Sequence, residues 1–328
     1  MTGLFGPLQV TIEPWAAEYG PQWRGGAPPE EAEVPEALDV EVPLARWAPI
    51  AAGAAIPWSA VAFVDGVRRI DAFVAISADD RMTRGAFGTY AAGTVVLRGG
   101  AATFGPAVIG RAAVCGDGLS LPGPVTVMRA VTYEPASAPS ADPPALVHSL
   151  ETRMRVAEER LARELADAPG ALVLADGPLA FVERSKGATV GYVKSIEEWH
   201  LPAEAVRLVH SLPPGARSPL AVLQSGRRIR YTWFLRVAPP WPGDAPFAGI
   251  VRLEVSQAVG LDAARRLADG CAVFLPRLAP PRGTDPRAPS NLLPIGAIER
   301  HLRHRMGDPR LIHRGIQTLI VREAVHRV

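Results

Sequence analysis

The chain has 328 residues, of which 48% are apolar, so it can bury a large core and is not a disordered tail. No apolar run reaches the roughly 18 residues of a membrane span, and no signal segment follows Met1, so we expect a soluble, cytoplasmic protein that does not contact a membrane. Cysteine occurs only at positions 115 and 271, which excludes a disulfide framework and a cysteine-based zinc site. A metal ion would therefore depend on carboxylates and histidines.

Charge is unevenly distributed along the chain. The formal net charge is +2, but residues 1–50 hold eight acids and two arginines, whereas residues 277–328 hold ten arginines, four acids and four of the seven histidines. A basic tail suits a polyanion and an acidic arm suits a protein partner, although either segment can also be solvated surface.

Lysine occurs only at Lys186 and Lys194. Where arginine has replaced lysine so widely, a retained lysine suggests a need for a compact ammonium, although chance also explains two survivors.

Residues 1–57 form an acidic arm rich in proline and tryptophan, with Trp15, Trp23 and Trp47 as possible anchors and at most a short helix over residues 15–19. The folded domain is expected over residues 58–328. Its first half consists of short apolar runs that indicate strands. These are residues 59–64, which end at a turn formed by Asp65-Gly66, then 67–76 as the second strand of a hairpin, 93–97, 107–114 and 123–133, followed by a linker over 135–144.

The second half alternates helices and strands. Apolar residues at three- and four-residue spacing predict a long helix over residues 145–167, which Pro169-Gly170 ends. A buried strand over 171–175 then ends at Asp176-Gly177. Further strands are predicted over 189–194, 231–237 and 249–255, and helices over 202–210, 262–269 and 297–306, the last with its cap region at Ser290-Asn291. This order of elements predicts one α/β domain with a mixed sheet flanked by helices, preceded by the extended arm.

Two of these strands end in an aspartate followed by glycine. A carboxylate at the end of a buried strand is held rigidly at the rim of the sheet, where Asp65 and Asp176 could share a divalent ion. The alternative is that each Asp-Gly pair only turns the chain, since this pair is common in turns.

The helix between the two aspartates offers a third carboxylate. At about 100° per residue, Glu158 lies at the edge of the apolar stripe, whereas Glu159 points nearly the opposite way. Glu151 lies one heptad earlier on almost the same line and is the competing choice. Any of the three can also belong to a solvated helix face.

Signatures of nucleotide hydrolases, dinucleotide enzymes, zincins and serine hydrolases are absent from the sequence, so metal-dependent chemistry is expected if the protein is an enzyme.

The order of these pieces resembles the NurA nuclease family over residues from about 58 to 320. The resemblance rests on the strand followed by Asp65-Gly66, the helix with Glu158, and the motifs Ala-Asp-Gly-Pro-Leu at 175–179, Gly-Tyr-Val-Lys-Ser at 191–195, Tyr-Thr-Trp-Phe-Leu-Arg-Val at 231–237, Ile-Val-Arg-Leu-Glu-Val at 250–255 and Leu-Pro-Ile-Gly-Ala-Ile-Glu-Arg-His at 293–301. It implies an RNase H-like fold, a homodimeric ring and a manganese-dependent nuclease. It also implies a hexameric HerA-type DNA translocase as partner, in DNA end resection and double-strand break repair.

The same resemblance implies roles for individual residues. Asp65, Glu158, Asp176 and His301 would hold Mn²⁺, or Mg²⁺ in its place, for two-metal hydrolysis of a phosphodiester bond. His301 is expected either as a metal ligand or as the proton donor to the leaving group, or it is simply a solvated histidine of the basic tail.

Two points remain open in this assignment. Lys194 matches the lysine that ends the family's next strand, where a point charge suits the scissile phosphate. Leu293 stands where the family has a tyrosine, so the role of that hydroxyl is not accounted for. The alternative function is a catalytically inactive RNase H-like subunit that binds DNA or serves as the adaptor of a translocase.

Overall fold

The computed structural model describes residues 34–53, 56, 58–78, 81–179, 188–196, 199–226, 228–284 and 287–325. Trp15, Trp23 and the short helix predicted over 15–19 lie outside the described residues, as does Lys186. The chain divides into two compact units. Among the described residues, unit 1 comprises 34–63 and 165–296, and unit 2 comprises 64–164 and 297–325. No helix in this part of the chain is both long and apolar enough to cross a membrane.

Strands and helices follow one another in an irregular order along the chain. The strands are β1 (Val34–Ala37), β2 (Ala60–Ala78), β3 (Arg81–Arg98), β4 (Ala101–Cys115), β5 (Val125–Met128), β6 (Val131–Ser137), β7 (Ala171–Asp176), β8 (Ala188–Val193), β9 (Ala221–Ser225), β10 (Arg228–Arg236) and β11 (Ile250–Ser256). The helices are α1 (Pro143–Ala166), α2 (Ala203–His210), α3 (Leu261–Phe274), α4 (Leu293–Arg305) and α5 (Pro309–Val325).

Unit 1 is built on a mixed sheet in the order β1-β9-β10-β11-β8-β7, followed by the first four residues of β2. β7 and β8 are parallel, whereas β1, β9, β10, β11 and β8 pair antiparallel in turn. Residues 171–174 of β7 are all buried, as expected for a strand covered on both faces. Helix α2 packs on this sheet through a cluster in which Val209 and Leu212 meet Phe234 and Ile250.

Unit 2 has helices on both faces of its strands, which follow the order β2-β3-β4-β6-β5 within the sheet, with β4 and β6 parallel. On one face, Leu146 and Leu150 of α1 pack against small residues of β3, β4 and β6. On the other face, Ile312 and Ile316 of α5 pack against a cluster around Tyr133. The mixed α/β class with helices flanking a sheet, which the order of elements predicts, is therefore confirmed.

The hairpin predicted at Asp65-Gly66 is wrong. β2 runs without a break from Ala60 to Ala78, so both residues lie inside a 19-residue strand. The reason for the glycine is a close approach rather than a turn. A Cβ on Gly66 would come within 2.7 Å of Met154 Cγ and 3.0 Å of the Glu158 carboxyl carbon of α1. Asp-Gly therefore marks the place where the helix crosses the strand.

A different pair of residues forms a tight hairpin. Gly99 and Gly100, with φ of 57° and 83°, connect β3 to β4, and Arg98 pairs with Ala101 across the turn. Positive φ at both central positions is the type I′ geometry that matches the twist of the flanking strands.

The strand predicted over 123–133 is two strands, β5 and β6, because the chain turns at Ala130 with φ of 64°. The linker predicted over 135–144 is shorter, residues 138–142, because β6 continues to Ser137 and α1 begins at Pro143.

The last part of the predicted arm belongs to the sheet of unit 1. β1 pairs antiparallel with β9, and Ile50 exchanges two backbone hydrogen bonds with Arg217. Glu41 receives two hydrogen bonds of 2.9 Å from the Arg217 guanidinium and a third from the Leu220 N–H. Arg217 is only 2% exposed and also donates to Asp269. The arm is thus attached to unit 1 by a buried charge pair.

We expect this attachment to weaken in acid. Burial raises the pKa of Glu41, but the hydrogen bonds and charge of Arg217 and the Leu220 N–H lower it by more, so it lies below the ordinary 4.5. A carboxylate with a lowered pKa stabilises the fold above its unfolded pKa, and this contribution is lost as the pH falls through the folded pKa. Glu41→Gln should lower the free energy of unfolding at pH 7 by about 3–5 kcal/mol, as for breaking a buried pair.

Urea unfolding of the wild type and the variant between pH 7 and pH 3 measures this effect. The difference in unfolding free energy between them should shrink below pH 4.5. Glu36→Gln, at an exposed position on β1, is the control and should unfold like the wild type. A difference that stays constant down to pH 3 would contradict the assigned role of Glu41.

Candidate active site

An aspartate and a lysine meet at the carboxyl ends of the parallel strands β7 and β8. Asp176 is the last residue of β7 and pairs in register with Tyr192. Lys194 follows two residues later on the same side of β8, and its Nζ lies 2.8 Å from Asp176 Oδ2. The Asp176 side chain is 20% exposed and the Lys194 side chain is 10% exposed. The carboxyl ends of parallel strands are where ligands bind in α/β sheets, so this pair is placed as an active-site pair would be.

Two residues just before α4 accept hydrogen bonds from the end of β8 and from Lys194. Lys194 Nζ donates to Asn291 Oδ1 at 3.1 Å, and the Tyr192 hydroxyl donates to the Ser290 carbonyl at 2.7 Å. Burial raises the pKa of Tyr192, and the negative charge of Asp176 raises it further, so the phenol stays neutral. Sequence reasoning assigned Ser290 and Asn291 only to the cap of a helix, which begins at Leu293 rather than at residue 297. Asn291 is therefore a site residue that the sequence pattern did not reveal.

One oxygen of Asp176 has the properties of a cation ligand. Oδ1 is buried and accepts no hydrogen bond from the described residues, whereas Oδ2 is paired with Lys194. Burying such an oxygen without a partner costs free energy. Divalent cations such as Mg²⁺ take carboxylate oxygens as ligands. Asp176 thus fits a metal-binding role.

Two of the predicted acidic residues lie in unit 2. Asp65 is 3% exposed in the middle of β2, and its Oδ1 accepts the Gly66 N–H at 2.8 Å. Glu158 of α1 lies over the same strand, because its carboxylate occupies the space that a Cβ of Gly66 would need. Glu158 therefore lies against the residue that follows Asp65 in β2.

The competing glutamates of α1 have other partners. Glu159 forms an ion pair with Arg163 one turn later. Glu151 lies 3.4 Å from Arg155 and 3.8 Å from Arg68. Of the three glutamates that the sequence left open, Glu158 is the one whose carboxylate lies against the Asp65-Gly66 segment.

His301 and Leu293 lie on α4. The His301 ring is half-buried and stacks on Phe104 of β4, with 4.1 Å between ring centroids and an interplanar angle of 16°. Leu293 is 47% exposed in the first turn of the helix. Among the described residues, no three of histidine, cysteine, aspartate and glutamate are grouped so as to hold a metal ion. The structure thus brings Asp176 and Lys194 into contact in unit 1 and places Glu158 against Gly66, the neighbour of Asp65, in unit 2.

Another buried aspartate shows what a purely structural carboxylate looks like in this protein. Asp71 Oδ1 accepts from Arg69 Nε at 2.7 Å, and Oδ2 accepts from the hydroxyls of Thr89 at 2.5 Å and Tyr133 at 2.8 Å. Burial and the charge of Asp71 raise the pKa of Tyr133, so the tyrosine remains a donor. Each oxygen of Asp71 has a protein donor, in contrast with Oδ1 of Asp176.

Comparisons with known proteins give remote likenesses. No protein-family model matches the sequence, and no curated protein matches it significantly. The structure of the NurA nuclease from Sulfolobus solfataricus aligns with a TM-score of 0.47 and 9% identity, over 86% of this chain and 88% of that chain. The catalytic domain of human Endonuclease V aligns with a TM-score of 0.34 and 15% identity, over 76% and 85% of the two chains. Endonuclease V of Ciona intestinalis, in complex with an inosine-containing DNA, aligns with a TM-score of 0.32 and 13% identity, over 81% and 90%.

The close approach of α1 to β2 is testable by filling the space above Gly66. Gly66→Ala places a methyl group where Glu158 and Met154 lie, so we expect a loss of unfolding free energy of about 1–3 kcal/mol, as for overpacking. Gly123→Ala is the matched control in unit 2, since its Cβ would meet nothing within 4 Å. Urea unfolding measures both variants. Equal stabilities for the two alanine variants would mean that α1 does not press on the strand at Gly66.

Proposed function

We propose that the protein is a metal-dependent DNA nuclease that hydrolyses phosphodiester bonds and uses Mn²⁺, with Mg²⁺ as a possible substitute. The observation that carries the proposal is the buried Oδ1 of Asp176, which has no donor among the described residues and lies beside the ammonium of Lys194. A cation ligand next to a fixed positive charge suits a substrate that is itself a phosphate diester.

Each named residue has a proposed part in that reaction. The family resemblance assigns Asp65, Glu158, Asp176 and His301 to the metal, which when bound would supply a hydroxide at neutral pH and neutralise the leaving oxygen. The Lys194 ammonium is held in place by Asp176 and Asn291 and attracts the phosphate. His301, whose ring is oriented by Phe104, would act as a metal ligand or as the proton donor to the leaving oxygen.

We propose a biological setting from the resemblance of the sequence motifs to the NurA family. In this setting the protein is cytoplasmic, forms a homodimer, and works in DNA end resection during double-strand break repair with a HerA-type hexameric ATPase. The acidic arm, residues 1–57, is the proposed contact for that partner, because its tryptophans offer aromatic anchors and its charge would repel DNA.

The basic surface of unit 2 suits the DNA backbone. Exposed cationic side chains follow one another along α4 and α5; they are Arg300, Arg303, Arg305, Arg310, Arg314 and Arg322. Arginines on the surface of two successive helices attract a polyanion and release its counterions on binding. DNA binding should therefore not require the metal.

Loss of one metal ligand should abolish cleavage without unfolding the protein. Asp176→Asn keeps the size of the side chain but removes the charge that binds the cation, so we expect cleavage of linear DNA in Mn²⁺ to fall about 100-fold or more. Asp65→Asn should have the same effect, because Asp65 is the other aspartate that the family resemblance assigns to the metal. Asp262→Asn, at an exposed position on α3, is the control and should cleave normally.

The control measurements separate a catalytic effect from a structural one. Circular dichroism and urea unfolding should show that Asp176→Asn is folded. Cleavage by Asp176→Asn at the wild-type rate would overturn the assignment. If the wild type binds DNA but cleaves neither single- nor double-stranded DNA in Mn²⁺ or Mg²⁺, the protein is instead a DNA-binding or adaptor subunit.

The contribution of the basic surface can be measured in EDTA. The double variant Arg310→Ala, Arg314→Ala removes two positive charges from α5, so DNA affinity should fall. The slope of log K against log salt should drop by roughly 1.8, since each phosphate contact in B-DNA contributes about 0.9. Fluorescence anisotropy with a labelled duplex between about 50 and 300 mM salt, a range of about a third to twice physiological, measures the slope. An unchanged slope would place the DNA on another surface.

A further inference from the structure

We propose that Glu254 is a positioning residue for the active site and that it acts on Asp176 through the backbone of Leu179. The inference rests on the proposed function only in that it takes Asp176 as the cation ligand. Glu254 lies on β11, has 0% of its surface exposed, and was predicted only as part of a strand.

The carboxylate of Glu254 is bound to the segment that follows Asp176. Its Oε1 accepts the Leu179 N–H at 2.6 Å and Arg230 NH1 at 2.7 Å. Arg252 NH2 lies 3.6 Å from the other oxygen, Oε2. A charge-assisted hydrogen bond of this length to a backbone amide is about twice as strong as a neutral one and fixes the donor closely.

The hydrogen bond from Leu179 to Glu254 is one of several features that fix the conformation of a four-residue turn, Asp176 to Leu179. The Gly177 N–H donates to the Tyr192 carbonyl at 2.9 Å, and Gly177 adopts a positive φ of 87° that favours glycine. Pro178 has no N–H and a fixed φ. Both backbone N–H groups that follow Asp176 in this turn therefore donate a hydrogen bond. The direction of the chain after β7 depends on the hydrogen bond from the Leu179 N–H to Glu254.

A glycine on the neighbouring strand makes room for the contact. Gly191 of β8 pairs with both Ala175 of β7 and Glu254 of β11. A Cβ on Gly191 would be 2.9 Å from Glu254 Cγ and 3.0 Å from both the Gly177 carbonyl oxygen and Leu179 Cγ. The glutamate side chain and the turn after Asp176 thus meet above a position where a larger residue does not fit.

Stability alone does not account for a carboxylate at this place. Taking a carboxylate and its arginine partners out of water costs about as much as the pairing returns, so an apolar core of the same volume would serve equally well. An apolar residue could not bind the Leu179 N–H. The buried charge is therefore explained by the position that it gives to the turn after Asp176, in the way that residues behind a metal ligand orient it.

Two substitutions at Leu179 separate the backbone donor from the side chain. Leu179→Pro removes the N–H that Glu254 binds, and Leu179→Ala keeps the N–H but removes the apolar side chain. We expect Leu179→Pro to weaken Mn²⁺ binding by roughly 10-fold or more, as for residues that support a metal ligand, and Leu179→Ala to leave it near the wild-type value. Isothermal titration with Mn²⁺ alone, without DNA, gives both affinities.

A second pair of variants covers the case in which Leu179→Pro does not fold. Glu254→Ala removes the acceptor and should weaken Mn²⁺ binding, whereas Glu254→Gln keeps an amide oxygen for the Leu179 N–H and should restore most of the affinity. A folded Glu254→Ala protein with wild-type Mn²⁺ affinity would overturn the proposal, and so would equal affinities for Leu179→Pro and Leu179→Ala.

A readout without metal keeps this inference separate from the proposed function. Because lysine occurs only at positions 186 and 194, the ¹⁵N signal of the Lys194 ammonium is assigned by comparison with Lys186→Arg. We expect Leu179→Pro and Glu254→Ala to shift this signal, since they displace Asp176 from Lys194, and Leu179→Ala and Glu254→Gln to leave it in place. An unshifted signal in both of the first two variants overturns the positioning role. If the signal shifts but the wild type binds no Mn²⁺, the positioning role holds and the proposed function fails.

Discussion

Glu158 in unit 2 and Glu254 in unit 1 each occupy a place that exists only because the strand residue beneath it has no β-carbon. Gly66 lets the carboxylate of α1 lie directly on β2, beside Asp65, and Gly191 lets the side chain of Glu254 reach the turn that follows Asp176. A protein interior is packed too densely to admit a methyl group at either point without displacing the neighbouring side chain. The arrangement of acids therefore depends on two missing β-carbons as much as on the acids themselves.

Two buried arginines show how positive charge is accommodated in this protein. Arg217 is matched by Glu41 and Asp269, and Arg236, which has no acidic partner among these contacts, donates to the carbonyls of residues 210, 212, 246 and 248. Such complete pairing is expected where an unpaired polar group costs free energy. The pairing is not complete everywhere, and Oδ1 of Asp176 is a buried oxygen that accepts no hydrogen bond from the described residues. Its place at the end of a buried strand, next to the Lys194 ammonium, is what makes it a candidate for ligand binding.

Local sequence patterns predict those parts of the fold that depend on local rules. Short apolar runs place β7, β8, β10 and β11 to within a few residues, and the parallel crossover between β7 and β8 accounts for the meeting of Asp176 and Lys194. Asp-Gly misled at residue 65, because a glycine needed for close packing has the same sequence signature as one needed for a turn. Local rules cannot distinguish the two uses.

The residues that sequence reasoning missed have partners far along the chain. Asn291 lies 97 residues from Lys194, and Glu254 lies 75 residues from Leu179, so no window of periodicity contains both members of either pair. Helix α5 was missed although Ile312 and Ile316 repeat at helical spacing, since the surrounding arginines and histidines were taken as a basic tail. Its buried face becomes evident only once the sheet that it covers is known.

Part of one strand in the long hairpin of unit 2 has a strand partner on one side only among the described residues. β4 pairs with β3 from Ala101 to Cys115, with an irregularity opposite Gly93 to Val95, but its pairing with β6 covers only Ala112 to Cys115. Open strand edges invite pairing with other chains, and Pro106 interrupts the row of backbone donors in this segment. A partner strand would find a broken ladder there, which restricts the registers in which two newly made chains can aggregate.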